Sequence, residues 1–247
     1  MSHSPLKLQE GAIFISDAHY SFKHKELLDF FKALRNQRIQ TPQLILMGDI
    51  FDLLFGGVVT TIERNQDMVD LINTLSDNIE IIYLEGNHDF NLALVFPAVT
   101  LFPIKQQPVS CQYKGQNILI AHGDFNGPLL YRLYTILIRN KVVLTLLNFF
   151  NNVTKQAILK GLDEKLAHKE DCQKMSGFEN YVRRHLSHVV LHTNKFFIEG
   201  HHHQDVSFVV EGCRYVNLPA FACGLGYMRL STGEMQKERF SEAGYEQ

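Results

Sequence analysis

Five short polar clusters in this chain combine aspartate, histidine or asparagine, most with a nearby glycine. They are Asp17 and His19 in "SDAH", Asp49 and Asp52 in "GDIFD", Asn87, His88 and Asp89 in "EGNHD", His122 in "AHGD", and His201 to His203 in "EGHHHQD". Carboxylate, carboxamide and imidazole groups without a cysteine make a hard-to-borderline donor set. Such a set suits Mn, Fe, Zn or Mg and is unsuited to soft-metal chemistry. Any one cluster reads equally well as a helix cap, since Asp and Asn at strand–helix junctions satisfy free N–H groups. Five of them, each at the end of a β-like run, are hard to explain as five independent caps. The three-histidine run is not a tag remnant, because tags sit at termini and this one lies between "FFIEG" and "VSFVVEG".

The runs that must position these clusters are short and apolar. "AIFIS" precedes Asp17, "LILMG" precedes Asp49, and "IEIIYLEG" precedes Asn87. "VSCQY-KG-QNILIAHG" reads as a hairpin turning at Lys114-Gly115. Between the runs, apolar residues recur at three- and four-residue spacing. This predicts helices over 24–37, 62–75 and 178–192, and a helical block over 126–166. "VSFVVEG", "RYVNLP" and "YMRLS" return to β near the C-terminus. Continuous apolar strands separated by helices argue for sheets buried on both faces, and the β-rich end argues for a second, partly antiparallel sheet. Two sheets face to face with helices outside is the expected class, α/β. Loops at the carboxyl ends of strands are where such folds place their sites.

Bulk properties set wider bounds. The 247 residues suffice for one large domain, or one domain with an insertion. A net charge of −2 gives no global electrostatic case for nucleic acid. Cys111, Cys172, Cys213 and Cys223 show no CxxC spacing, which suits a reducing compartment. The first residues have no apolar core of signal-peptide length, and no run of about 18 uncharged apolar residues occurs, so a cytoplasmic protein without a membrane span is expected.

The order D-x-H, G-D-x-x-D, G-N-H-D, H-G-D and G-H-x-H, from Asp17 to His203, resembles the calcineurin-like metallophosphoesterases. The resemblance implies a four-layer αββα double β-sandwich and two divalent metal ions, Mn²⁺ first, with Fe, Zn or Mg as alternatives. Asp17, His19 and His203 would hold one ion, Asn87, His122 and His201 the other, and Asp49 would bridge them. Two cations about 3.5–4 Å apart lower the pKa of a shared water, so that a bridging hydroxide can attack phosphorus. His88 would serve as donor or general acid toward the phosphoryl group or leaving oxygen. Asp52 would orient His88. Within the histidine run, alternate residues near a strand end project to one side, which leaves His202 dispensable for these metals.

The segment from Phe125 to Leu162 contains five basic residues (Arg132, Arg139, Lys141, Lys155, Lys160), no acidic one, and many Leu and Phe. Arg132, Thr135 and Arg139 fall on one helical stripe. The composition fits a helix at a membrane surface or over a lipid, and equally a core or dimer helix. Placed straight after His122, it resembles the cap of one branch of the family, which cleaves UDP-2,3-diacylglucosamine in lipid A biosynthesis. That resemblance implies a helical cap insertion at 125–170 on a core of 1–124 and 171–247. The substrate would be a lipid-linked nucleotide sugar split to UMP and 2,3-diacylglucosamine 1-phosphate, at the inner face of the membrane. Arg139, Lys165 and Lys169 would meet phosphate or anionic headgroups. The chain departs from that branch in carrying His88 where arginine is usual and in having no tryptophan. Two other readings stay open: a metal-dependent phosphodiesterase or phosphatase for another small nucleotide or phospholipid, and a metal-bound scaffold without catalysis. A nuclease is disfavoured, because the basic residues are interleaved with aliphatics and few aromatics are placed for stacking.

Overall fold

The computed structural model describes residues 5–127, 129–167 and 172–241. The N-terminal half contains β1 (Leu6–Lys7), β2 (Ile13–Ile15), α1 (Glu26–Arg35), β3 (Gln43–Leu46), β4 (Leu54–Phe55), α2 (Val59–Glu63), α3 (Gln66–Leu75), β5 (Glu80–Leu84), β6 (Asp89–Phe90) and β7 (Thr100–Phe102). There follow β8 (Val109–Tyr113), β9 (Gln116–Ala121), α4 (Leu129–Ile138), α5 (Lys141–Val153), α6 (Ala157–Ala167) and α7 (Phe178–His185). The chain closes with β10 (Phe196–Glu199), β11 (Val206–Val210), β12 (Cys213–Asn217), α8 (Phe221–Gly224), β13 (Gly226–Ser231) and β14 (Glu234–Arg239).

Two six-stranded sheets form, in the orders β14-β13-β2-β3-β5-β7 and β1-β8-β9-β10-β12-β11. β2, β3, β5 and β7 run parallel, as do β9, β10 and β12, while β13, β14, β8 and β11 add antiparallel pairings. Both sheets are therefore mixed, and not only the second. Alternation along each strand explains the unbroken apolar runs. Phe14, Ile45 and Ile82 point between the sheets, where they meet Ile118, Ile120, Phe196 and Ile198. Their neighbours Ile13, Ile15, Leu44, Leu46, Ile81 and Tyr83 point outward onto Phe30, Phe31 and Leu34 of α1 and Met68 and Ile72 of α3. On the other outer face, Phe178 and Val182 of α7 cover Phe197, Cys213 and Tyr215. The layers are helix, sheet, sheet, helix.

Several boundaries differ from the sequence pattern, each for a local reason. The helix expected over 62–75 is interrupted between α2 and α3, where the Asn65 side chain donates to the Leu53 and Thr61 carbonyls. The block expected over 126–166 is three helices. Asn140 caps α5 by accepting the N–H groups of Val142 and Val143, and Lys155 and Gln156 take positive φ before α6. α7 ends at His185. β14, which the apolar pattern does not mark, pairs with β13 through a turn in which Thr232 and Gly233 both have positive φ. Cys172 and Cys223, 51 residues apart, form a disulfide, while Cys111 and Cys213 are free and buried. This pairing departs from the reducing-compartment reading. Spacing rules cannot see a pair that only tertiary folding brings together. Among the described residues, no single helix is long and apolar enough to cross a membrane; α4 and α5 would qualify jointly by length and composition, bent by 69°.

Candidate metal centre

The five polar clusters follow β2, β3, β5, β9 and β10, whose parallel register puts their carboxyl ends at one edge of the sandwich. Asp17, His19 and His203 offer ligand atoms within 4.8 Å of one another, and Asp49, His122 and His201 do the same. His203 Nε2 lies 3.1 Å from Asp17 Oδ1, and His122 Nε2 lies 3.4 Å from Asp49 Oδ2. The His122 and His201 rings stand 4.9 Å apart and those of His19 and His203 5.5 Å apart. Asp17, His19, Asp49, His201 and His203 all adopt positive φ, between 47° and 61°. Non-glycine residues avoid that region, and its concentration here marks a loop set held by its surroundings. His201 and His203 thus share a side through two left-handed turns and not through strand alternation; β10 has already ended at Glu199.

Asp17 Oδ1, His19 Nε2, Asn87 Oδ1 and His122 Nε2 are buried without a hydrogen-bond partner. Buried polar atoms are normally satisfied, so oxygen and imidazole donors left open together fit divalent cations. Groups behind them fix their orientation. The backbone carbonyl of Met47 accepts from His122 Nδ1 at 2.8 Å, which leaves Nε2 as the nitrogen a metal could take. His19 Nδ1 lies 3.1 Å from Asp52 Oδ1. Asp17 Oδ2 accepts the His201 N–H at 2.8 Å and also the Ser16 hydroxyl. Gly86 and Gly200 sit where a side chain does not fit: a Cβ at Gly86 would lie 2.2 Å from Asp49 Oδ1, and one at Gly200 1.8 Å from Ser16 Oγ.

The electrostatics are those of a charge-paired cluster. Burial works to raise the Asp49 carboxyl, yet His122, His88 and His19 hold it well below the usual carboxylate range. Burial likewise opposes ionisation of Asp17, and His203 and His122 outweigh it. Burial disfavours charge on His122, but Asp49, Asp124 and Asp17 raise it well above an ordinary imidazole. His201 is pushed well below, by burial first and then by His122 and His202.

His88 and Asp52 are adjacent, but not in the arrangement expected. His88 Nδ1 donates to the backbone carbonyl of Asp52 at 2.8 Å, while the Asp52 carboxylate turns to His19. The hydrogen bond between His88 and Asp52 therefore runs through the Asp52 main chain, and the Asp52 carboxylate stands beside His19. Asp89, a member of the same cluster to which the motif assigns no role, holds the neighbouring loop. Its carboxylate accepts the N–H groups of Asp49, Ile50, Phe51 and Gly86 and the hydroxyl of Tyr83, all without exposure to solvent. The signal was its place in G-N-H-D beside His88.

α4 and α5 leave most of their large apolar side chains in the open. Thr135, Leu144, Asn151 and, on α6, Leu159 are buried, while Leu129, Leu130, Leu133, Ile136 and Leu137 of α4 and Val142, Leu146, Phe149, Phe150 and Val153 of α5 are exposed. The stripe carrying Thr135 and Arg139 faces the core. Arg139 Nη2 donates to the Gly86 carbonyl at 2.8 Å and lies 3.6 Å from Asp124, its guanidinium sits over the Phe90 ring at 5.0 Å, and its Nε has no hydrogen-bond partner. Arg139 thus joins α4 to both the G-N-H-D and H-G-D loops. Arg64 of the core bonds Asp163 and Gln156, a second tie. Lys165 is exposed at the end of α6, and Lys169 lies outside the described residues.

The layers are helix, sheet, sheet, helix, and two Asp/His groups that could hold metal ions lie at the strand ends, an α/β fold with a candidate metal centre. Residues 12–205 match the calcineurin-like phosphoesterase family, and the chain belongs to it. Among curated proteins the chain is similar to UDP-2,3-diacylglucosamine hydrolase of Psychromonas ingrahamii, 30% identical over 114 residues, and to that of Wigglesworthia glossinidia brevipalpis, 32% identical over 120 residues. These matches cover 45% and 46% of this chain and span only 46% of the length of each relative. Among solved structures it aligns with an archaeal phosphodiesterase (14% identity, 93% of this chain and 99% of that one, TM-score 0.45). It also aligns with the phosphoesterase Yfce from E. coli (13% identity, 94% and 100%, TM-score 0.45).

Proposed function

We propose that the chain hydrolyses the pyrophosphate bond of UDP-2,3-diacylglucosamine, giving UMP and 2,3-diacylglucosamine 1-phosphate. The observation that carries this reading is an exposed apolar face on α4 and α5 beside the Asp/His centre. A core helix would bury those side chains, whereas a cap for acyl chains presents them. Residues 125–170 then form the cap and 1–124 with 171–247 the core. The same face would rest on the inner leaflet of the membrane, which makes this a peripheral cytoplasmic enzyme.

Asp17, His19 and His203 would hold one divalent cation and Asn87, His122 and His201 a second, with Asp49 between them; Mn²⁺ is the first choice. Such ions, when bound, supply Lewis-acid neutralisation of phosphoryl oxygens and acidify water near neutral pH. His88, its Nδ1–H fixed on the Asp52 carbonyl, keeps Nε2 for a proton donated to a phosphoryl or leaving oxygen. Arg139, Lys165 and Lys169 would meet phosphate groups. The test is UMP release from UDP-2,3-diacylglucosamine with Mn²⁺, run in ¹⁸O-water. Label in UMP supports attack at the α-phosphorus. Label in the lipid phosphate, or no UMP while bis-p-nitrophenyl phosphate is cleaved, rejects the reading.

His88 in place of arginine favours a second reading, in which the same centre cleaves another small nucleotide or phospholipid diester. A scaffold role is the least supported, since a scaffold has no need of His88 beside a full ligand set.

A further inference from the structure

We propose that His185, Glu199 and His202 form a third cation site, for zinc, on the side of the His201–His203 loop that faces α7. Their ligand atoms lie within 4.8 Å of one another, in a group separate from the two described above. Glu199 is the last residue of β10 and is fully buried. Its Oε2 accepts the Tyr215 hydroxyl at 2.8 Å, and its Oε1 stands 3.2 Å from His185 Nε2. Around a tetrahedral zinc with ligand distances of about 2.0–2.1 Å, neighbouring ligands lie about 3.3–3.4 Å apart. The Glu199–His185 pair already has that spacing, so a cation needs only His202 to close in.

A second observation comes from His202. Its Nε2 is buried and makes no hydrogen bond. The ring packs edge-on against Phe178 at 5.4 Å and Tyr181 at 5.1 Å and stands nearly perpendicular to His185 at 6.0 Å. Tyr181 also stacks on His185 at 5.6 Å. Aromatic walls exclude water from a nitrogen that water would otherwise satisfy. A carboxylate with two imidazoles is a zinc donor set, and the Tyr215 hydroxyl behind Glu199 is the outer support such ligands usually have. The ion would pin α7 and β10 to the loop that carries His201 and His203. Its presence does not depend on which phosphoester the chain cleaves.

The test counts zinc. The full chain is stripped with chelator, saturated with zinc alone, freed of excess by gel filtration and measured by mass spectrometry of the metal. His185→Gln and His202→Ala should each retain one zinc fewer than the unmodified chain. The double variant should lose that same single ion and no more, because both residues share it. Asp49→Ala reports separately on the other centre and leaves this difference in place. Counts unchanged in the single variants, or two ions lost in the double variant, overturn the proposal. An arm that needs no variant is anomalous zinc density in crystals of the unmodified chain; no density between the three side chains at saturating zinc overturns it equally.

Discussion

Asp89 Oδ1 accepts the backbone N–H of Asp49 at 3.1 Å, and Asp49 Oδ1 in turn accepts the N–H of His88 at 2.9 Å. The G-D-x-x-D and G-N-H-D loops therefore hold each other through carboxylates that face opposite ways. Removing the Asp89 side chain would leave up to four buried N–H groups without an acceptor. Asp89→Ala should cost about 3–5 kcal/mol in denaturant unfolding and lower activity with it. Asp89→Asn, which keeps an acceptor oxygen, should cost less. A loss under about 1 kcal/mol for the alanine variant would contradict this assignment.

The three consecutive histidines should separate cleanly. His201→Ala and His203→Ala should each reduce turnover by more than the roughly 10–100-fold typical of residues behind metal ligands. His202→Ala should keep turnover within about tenfold, because its ring points to α7. Equal losses at all three positions would break the division.

Asp52→Ala distinguishes its two possible tasks. The backbone carbonyl that holds His88 survives the substitution, while the carboxylate beside His19 is gone. Metal affinity should fall by about 10–100-fold. A turnover loss like that of His88→Ala at unchanged metal affinity would restore the side chain as the partner of His88.

Proton linkage gives opposite slopes with and without metal. In the metal-free chain His122 titrates well above the ordinary 6.5: burial works against this, and Asp49 with Asp124 outweighs it. A raised folded pKa means that its stabilising contribution is complete below about pH 6.5 and is lost as pH rises through the folded value. Metal needs the same Nε2 deprotonated, so metal affinity should rise with pH and binding at pH 7 should release protons. Calorimetry in buffers of different ionisation enthalpy reads that release directly. Tm against pH should fall above pH 6.5 for the stripped chain relative to the Mn²⁺-saturated one. Binding without proton release would show that His122 is already neutral.

The exposed face of α4 and α5 can be altered without disturbing the core. Leu133→Glu and Phe149→Glu lie at positions more than half exposed, so unfolding free energy should change by no more than about 0.5 kcal/mol. KM for UDP-2,3-diacylglucosamine should rise by about tenfold or more, as should the lipid concentration needed for vesicle binding. Cleavage of bis-p-nitrophenyl phosphate should not change. An equal loss on both substrates would mean that the face serves the metal centre and not the lipid.

How much could be read in advance follows from how far each property reaches along the chain. The donor types of Asp17, His19, Asp49, Asn87, His122, His201 and His203, and their places after apolar runs, are local, and so is the alternation that buries both faces of β2, β3 and β5. Those features, together with the family pattern, were legible in the sequence. What a side chain meets from another element of the chain was not, because it depends on the register between strands and between sheets. Only the folded chain turns the Asp52 carboxylate to His19, sets Asp89 under the Asp49 loop, pairs Cys172 with Cys223, and brings His185 beside Glu199. The same holds for α4 and α5. Periodicity predicts that they are amphipathic helices, but the choice of which face meets the core is made by Arg139 reaching the Gly86 carbonyl and Leu144 reaching the Phe90 cluster, and that leaves the apolar side in the open. Sequence alone determined which residues could do the chemistry; tertiary structure decided which of them support one another, because hydrogen bonds and metal ligation require distances of a few ångström that spacing along the chain cannot supply.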